Sequence, residues 1–196
     1  MRTFLLAAAL IAFAAPALAD PLMDGGRAYE QGDYARALAA WQPLAANGNA
    51  EAQNNLALLY LDGKGVPRNL PEAVRYFQLS AAAGSALGQN NLGGLYRDGN
   101  GLPRDFGKAA RWFAASASQG NSAGMYNLGL MYELGQGVKA DPIEAAMWYD
   151  LAAEQNDVPN AAAHRDALLQ QMPPINRTRV RQMAVACRLS GYKTCR

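Results

Sequence analysis

The sequence predicts an all-α protein, an α/α solenoid of helix-turn-helix repeats with a C-terminal capping helix. Three tyrosines recur 36 residues apart, Tyr60, Tyr96 and Tyr132. An asparagine stands five residues before each tyrosine, and Gly-x-Gly follows each one. A fixed period with aromatic, small and glycine positions all in phase is typical of a helical repeat array. The 51% apolar composition fits units that bury their surfaces against one another.

Each repeat carries its own helix stop and start signals. The first helix of a unit ends at Gly-x-Gly, where glycine can adopt the positive φ that ends a helix. Asn69, Asp105 and Asp141 then provide side chains suited to cap the second helix. An aromatic pair follows at a fixed position, and its strict periodicity favours core packing over an exposed ladder for sugars. The pairs are Tyr76 with Phe77, Trp112 with Phe113, and Trp148 with Tyr149.

Small residues mark a close approach within each unit. Ala57, Gly93 and Gly129 occupy the same position of the three first helices. We expect the second helix to approach there, with the aromatic side chain of the same unit filling the adjoining space. Because one hairpin buries only part of its apolar surface, neighbouring units must stack to complete the core.

On these patterns we expect the chain to divide into four parts. Residues 1–19 are a signal peptide, residues 20–49 a shortened first repeat, and residues 158–196 a partial repeat followed by a cap. Residues 50–157 form the three full repeats, with boundaries at 50–85, 86–121 and 122–157.

The first 19 residues predict export. Arg2 precedes a short apolar stretch, and Ala17-Leu18-Ala19 has the small-x-small pattern of a cleavage site. A membrane span needs roughly 20 apolar residues, and this stretch is shorter. No other segment reaches that length, so we expect no membrane span. The mature protein should begin near Asp20 in the periplasm, with secretion as the alternative.

The C-terminal part predicts a disulfide-pinned cap. A helix over 160–171 resembles the start of a fourth unit, and Pro173-Pro174 should break it. A final helix is expected over about 178–189. Cys187 and Cys195 are the only two cysteines, and in an exported protein such a pair predicts a disulfide.

Charge is unevenly distributed along the chain. Residues 20–174 contain 11 basic and 16 acidic residues, whereas residues 175–196 contain six basic and no acidic ones. An acidic body therefore carries a basic tail. A nucleic-acid-binding protein would present a broad basic face with interleaved aromatic residues, so we expect no nucleic-acid partner. The tail could dock on an anionic surface, although a solvated helix face is the simpler interpretation.

The sequence offers no catalytic constellation. His164 is the single histidine, without a neighbouring cysteine or His-x-Glu pattern, and is expected on a helix surface. Gly63-Lys64-Gly65 lacks the Gly-Lys-Ser/Thr ending of a nucleotide loop. We therefore predict no enzyme activity, no catalytic residues, no metal site and no cofactor.

The repeated phrase resembles a known family. Asn-Leu-Gly-x-x-Tyr-x-x-Gly-x-Gly-Val, followed by Trp-Tyr-x-x-Ala-Ala, is similar to the Sel1-like repeat, a longer-looped relative of the tetratricopeptide repeat. The likeness is strong over 50–156 and looser over 25–48. It implies a right-handed α/α superhelix whose first helices line a concave groove, and a role as an adaptor or scaffold for protein or peptide partners.

The resemblance also implies which residues line this groove. By analogy with tetratricopeptide repeats, the positions six before each repeated tyrosine face inward, with Arg97 and Glu133 one turn further on. A second row lies beside them. Asparagine amides both donate and accept hydrogen bonds, so such rows can hold a peptide backbone; the second row could instead bond neighbouring helix ends. The expected first row is Asn54, Asn90 and Tyr126, and the second is Asn55, Asn91 and Asn127.

Two functional hypotheses follow. The first is an exported adaptor or regulator of envelope processes that binds a protein or peptide in the groove. The alternative is a hydrolase or β-lactam-binding protein acting on cell-wall material, by analogy with cysteine-rich relatives. Those relatives carry cysteine pairs in successive repeats, whereas the repeats of this chain carry none, and Ser-x-x-Lys does not occur.

Overall fold

The computed structural model describes residues 20–155 and 158–195, and within these ranges it is all-α, as predicted. The expected signal peptide, residues 1–19, lies outside the described residues. Ten helices follow one another in this part of the chain. They are α1 (Pro21–Glu30), α2 (Tyr34–Ala46), α3 (Ala50–Asp62), α4 (Leu70–Ala82), α5 (Ala86–Asp98), α6 (Phe106–Ala117), α7 (Ser122–Leu134), α8 (Pro142–Ala153), α9 (Ala161–Gln171) and α10 (Pro174–Leu189).

Antiparallel helix pairs stack in file to form the solenoid. α1 pairs with α2, α3 with α4, α5 with α6, and α7 with α8, and each pair then packs on the next. The first helices α3, α5 and α7 also contact one another directly. The second helices α4, α6 and α8 approach one another less closely within the described chain. The first helices therefore lie on the shorter, inner side of the array.

Helix ends follow the local signals in the sequence. Gly63 ends α3 with φ of 70°, a left-handed conformation that favours glycine. After the loop, the Asn69 side chain accepts a hydrogen bond from the backbone N–H of Glu72 and caps α4. Asp105 and Asp141 cap α6 and α8 in the same way. The loops thus fix where each second helix begins.

The small positions in the first helices receive an aromatic ring of the same unit, as predicted. A Cβ on Gly93 would stand 2.7 Å from Phe113, and one on Gly129 would stand 2.8 Å from Tyr149. Phe113 and Tyr149 are fully buried. Packing at this density leaves no room for a larger residue on the glycine side.

The two residues of each aromatic pair differ in burial. The second residue is buried in all three units, and its side chain belongs to the core. The first is buried in the third unit, as Trp148, but only half-buried in the others, as Tyr76 and Trp112. Core packing is therefore confirmed fully for the second position and only partly for the first.

The C-terminal cap differs from the prediction in its starting point. α10 begins at Pro174, about four residues earlier than expected, and Pro173 is its N-cap. Proline is tolerated at the first helical position because its missing N–H has no intrahelical partner there. The proline pair therefore separates α9 from α10 and also starts α10. The inner face of α10 is buried in one cluster with α8 and consists of Val180, Ala184 and Cys187. Cys187 is bonded to Cys195, as expected.

Candidate functional site

The predicted groove residues lie on the inner first helices, and hydrogen bonds join their side chains from one unit to the next. Asn91 Nδ2 donates to Asn54 Oδ1 at 2.8 Å, and Asn127 Nδ2 donates to Asn90 Oδ1, also at 2.8 Å. Each bond joins the second row of one unit to the first row of the unit before it. The two expected rows are therefore paired across neighbouring units, and we call these amide pairs, which tie the inner helices together, the amide ladder.

Asn54, predicted to line the groove in the first row, is buried and cannot contact a partner. Its side chain is 2% exposed, and its Nδ2 donates to Asn55 Oδ1 at 3.3 Å. Since its oxygen also accepts from Asn91, this amide is a buried part of the ladder rather than a surface that a partner can reach. Burial of a polar group at this depth is tolerated because both its nitrogen and its oxygen are hydrogen-bonded.

Arg97 extends the ladder to the next unit. Its Nη1 donates to Asn127 Oδ1 at 2.9 Å, while Nε and Nη2 donate to the two oxygens of Asp98. The hydrogen bonds to Asp98 raise the pKa of Arg97, and Arg97 in turn lowers the pKa of Asp98. The guanidinium is therefore held in place by an amide on one side and a carboxylate on the other.

Two groups of the ladder retain unused hydrogen-bonding capacity. Within the described residues, Asn90 Nδ2 has no acceptor and Asn91 Oδ1 has no donor. Both side chains are half-buried and line a cavity of about 250 Å³ together with Leu58, Gly94 and Arg97. A donor and an acceptor on adjacent residues match the C=O and N–H of a peptide backbone.

The groove ends at a cluster around His164 that the repeat pattern did not predict. His164 of α9 was expected on a helix surface, but its ring packs against α7 and α8. Its Nδ1 lies 3.2 Å from Glu133 Oε2, and its Nε2 lies 3.3 Å from the Tyr126 hydroxyl. The Tyr149 hydroxyl donates to the same Glu133 oxygen at 2.5 Å. A neutral His164 with its proton on Nδ1 donates to Glu133 and accepts from Tyr126.

The cluster disfavours ionisation of its tyrosines. Burial, together with the hydrogen bond to Glu133, raises the pKa of Tyr149 far above its ordinary range. Burial and the nearby Glu133 carboxylate also raise the pKa of Tyr126. Both phenols therefore remain neutral hydrogen-bond donors at physiological pH.

The register of the repeats explains how His164 enters the ladder. The ladder bonds join residues 37 apart, so Tyr126 would pair with position 163, which is an alanine. His164 stands one residue later and is long enough to reach the same place. Glu133 stands one repeat (36 residues) after Arg97. It contacts His164 in the way that Arg97 contacts Asn127. Extending the repeat register into α9 would have pointed to this residue.

Other site classes receive no geometric support. No group of three or more His, Cys, Asp or Glu residues within 20–155 and 158–195 could hold a metal ion. None of the helices in these ranges has the length and apolarity that a membrane crossing requires.

Comparison with known proteins identifies the repeat. The sequence profile of the Sel1 repeat matches residues 50–85, 86–121 and 122–157, which together make up more than half of the chain. No curated protein matches this chain.

Two solved structures share the fold. The crystal structure of a Sel1 repeat protein from Oxalobacter formigenes is 30% identical, with a TM-score of 0.67 over 74% of this chain and 59% of that one. The structure of c5321, a protective antigen present in uropathogenic Escherichia coli strains that displays an SLR fold, is 25% identical, with a TM-score of 0.59 over 84% of this chain and 44% of that one. The chain thus spans less than two thirds of either relative. With three matched units and these structural relatives, the chain belongs to the Sel1 repeat family.

Proposed function

We propose that the protein is an exported, periplasmic scaffold that binds an extended segment of a protein or peptide partner in the groove of its first helices, as an adaptor or regulator of envelope processes. Sel1 repeats commonly mediate protein–protein interactions, and proteins built from them are generally non-catalytic scaffolds. The observation that carries the proposal is the free donor of Asn90 beside the free acceptor of Asn91 at the same cavity.

The surroundings of this pair favour an extended segment. Gly94 and the Leu58 side chain provide a small and an apolar surface beside the two amides, so a peptide backbone can approach closely. Arg97 also lines the cavity, where hydrogen bonds to Asn127 and to the Asp98 carboxylate fix its guanidinium. Because these groups are already hydrogen-bonded into the ladder, little side-chain entropy is lost when a partner binds.

The groove can be tested with one isosteric change. Asn90→Asp keeps the oxygen that accepts from Asn127 but replaces the free donor with an acceptor that repels a backbone carbonyl. We expect it to fold normally and to lose the partners that the wild-type protein captures from an envelope extract, measured by quantitative mass spectrometry. Asn55→Asp makes the same change outside the cavity and should capture normally. Equal capture by Asn90→Asp and wild type would refute binding in the groove.

Export has its own support and its own test. Asp20 caps α1, and α1 begins at Pro21. Cleavage after Ala19 would therefore leave the first helix complete. We expect cell fractionation to recover the protein in the periplasm, with a mature N-terminus at Asp20 by mass spectrometry. A cytoplasmic protein that retains residues 1–19 would refute export without affecting the groove.

A further inference from the structure

A second cleft lies on the other side of α5 from the groove. Gly94 lines the groove, and Tyr96, two residues later, is turned about 200° around the helix. Tyr96 forms one wall of a cavity of about 440 Å³. The stripe Lys108, Arg111, Trp112 and Ala115 along α6 forms the rest. This volume is in the range of pockets that hold small molecules.

In the first full repeat (residues 50–85), the space equivalent to this cleft is closed. Tyr60 and Tyr76, the equivalents of Tyr96 and Trp112, stack with centroids 5.8 Å apart and planes inclined by 9°. Arg75 lies over Tyr76 and is paired with Glu72 at 2.8 Å. The rings fill the space themselves, and the arginine is neutralised by a carboxylate of its own helix.

The second full repeat (residues 86–121) differs both in the ring contact and in the carboxylate that pairs with the arginine. Tyr96 and Trp112 make no ring contact, so the space between them remains open. Lys108 replaces the equivalent of Glu72, which leaves Arg111 without a hydrogen-bond or ion-pair partner among the described residues. The Lys108 ammonium lies 5.2 Å from the centre of the Tyr96 ring and 3.6 Å from a carboxylate oxygen of Asp105. Two cations therefore face an aromatic cleft with one acidic residue nearby.

In the third full repeat, Tyr132 and Trp148, the equivalents of Tyr96 and Trp112, line a cavity of about 480 Å³ together with C-terminal residues that include Tyr192 and Lys193. Met147 and Trp148, the equivalents of Arg111 and Trp112, are buried in one cluster with Val180 and Ala184 of α10. The position in the second full repeat differs from the other two in that two cations, Lys108 and Arg111, stand on its own second helix and line the cavity.

We propose that this cleft binds a small aromatic carboxylate. The Tyr96 and Trp112 rings can pack against the faces or edges of a flat apolar ring. Lys108 and Arg111 can hold its carboxylate through charge-assisted hydrogen bonds. Apart from the Tyr96 hydroxyl and the Trp112 indole N–H, the lining offers no neutral hydrogen-bonding side chain, so most hydroxyls of an acidic sugar would lack partners. The site is independent of the groove and does not rest on the function proposed for it.

The test is a titration of the purified protein with naphthoate, followed by the indole N–H resonance of Trp112 in a two-dimensional NMR spectrum. Naphthoate should shift this resonance saturably, whereas neutral naphthylmethanol should bind at least about tenfold more weakly because it lacks the charge that the cations recognise. Lys108→Glu restores the acidic residue of the first repeat and should pair with Arg111, so naphthoate binding should fall by about tenfold or more. Lys108 is exposed, so this change leaves the core intact.

Two further measurements make the outcome decisive. Arg111→Gln should weaken naphthoate binding. The matched change Arg75→Gln, in the first full repeat where the equivalent space is closed, should not. Three results would each overturn the proposal: no shift of Trp112 with naphthoate, equal binding by Lys108→Glu and wild type, or equal affinity for naphthoate and naphthylmethanol. Glucuronate binding as tightly as naphthoate would overturn the assignment to an aromatic ligand.

Discussion

The contact between α4 and α5 predicts the effect of adding one methyl group to the protein. A Cβ on Gly88 of α5 would stand 2.2 Å from Ser80 Oγ, 2.7 Å from Ser80 Cβ and 2.9 Å from the backbone N of Ala81. Rotation of the serine side chain can move Oγ, but it cannot move Cβ or the backbone nitrogen. Gly88→Ala must therefore push apart two helices of neighbouring units.

The expected magnitude follows from two opposing effects. Overpacking a close contact costs about 1–3 kcal/mol. Replacing glycine by alanine inside a helix recovers up to about 1 kcal/mol. Because two of the three atoms that the methyl group meets move only with the helix, the cost should exceed the gain, and we expect a net loss of about 1–2 kcal/mol in the free energy of unfolding. For a chain of this size each kcal/mol lowers Tm by about 2–4 °C.

The same helix supplies the matched control. A Cβ on Gly94, also in α5, would meet nothing within 4 Å. Gly94→Ala should therefore stabilise the protein by about 0.5–1 kcal/mol. Urea unfolding followed by the helical circular dichroism signal gives both values. If Gly88→Ala were as stable as Gly94→Ala, the close packing of α4 on α5 would not contribute as argued. Ser80→Ala combined with Gly88→Ala should recover only part of the loss, because the Ser80 Cβ and the Ala81 nitrogen remain.

Two more predictions concern the C-terminal end of the array. Because the pKa of Tyr149 is raised in the folded protein, the stability that it contributes is complete below its ordinary pKa of 10 and is lost as pH rises above that value. The free energy of unfolding of the wild type should therefore fall more steeply above pH 10 than that of Tyr149→Phe, and parallel pH profiles would contradict the raised pKa. The bond between Cys187 and Cys195 closes a loop with a sequence separation of 8, so reduction should cost up to about 2–3 kcal/mol in urea unfolding. Cys195→Ser should match the reduced wild type and should not respond to reductant, and an unchanged unfolding midpoint in either case would show that the bond does not stabilise the cap.

The repeat pattern predicted most of the fold because its signals are local. A glycine at the end of a first helix and an Asn or Asp before a second helix act within a few residues, so the helix boundaries of the units follow from the sequence. The close approach of Phe113 to Gly93 was also predictable, since both residues keep their place in the period. The start of α10 was misplaced because proline suits both a break and a first helical position, and the sequence alone does not distinguish them.

The candidate site was only partly predictable. The register identified the rows of side chains on the first helices, but the hydrogen bonds between rows depend on how far one unit is displaced against the next. That displacement buries Asn54, leaves the donor of Asn90 free, and brings His164 to Glu133. None of these relations is encoded within a single repeat.

The sequence by itself determined that this protein is a stack of helical hairpins, because caps, turns and apolar periodicity are properties of short segments. Only the tertiary structure decided which side chains remain available to a ligand. Asn54 and Asn90 are the same residue type in the same place in the repeat, yet one is buried and the other lines a cavity. Likewise Tyr60 lies against its neighbouring ring, whereas Tyr96 borders an open cleft. Exposure and pairing are set by contacts between segments distant in sequence, and these exist only once the units have packed.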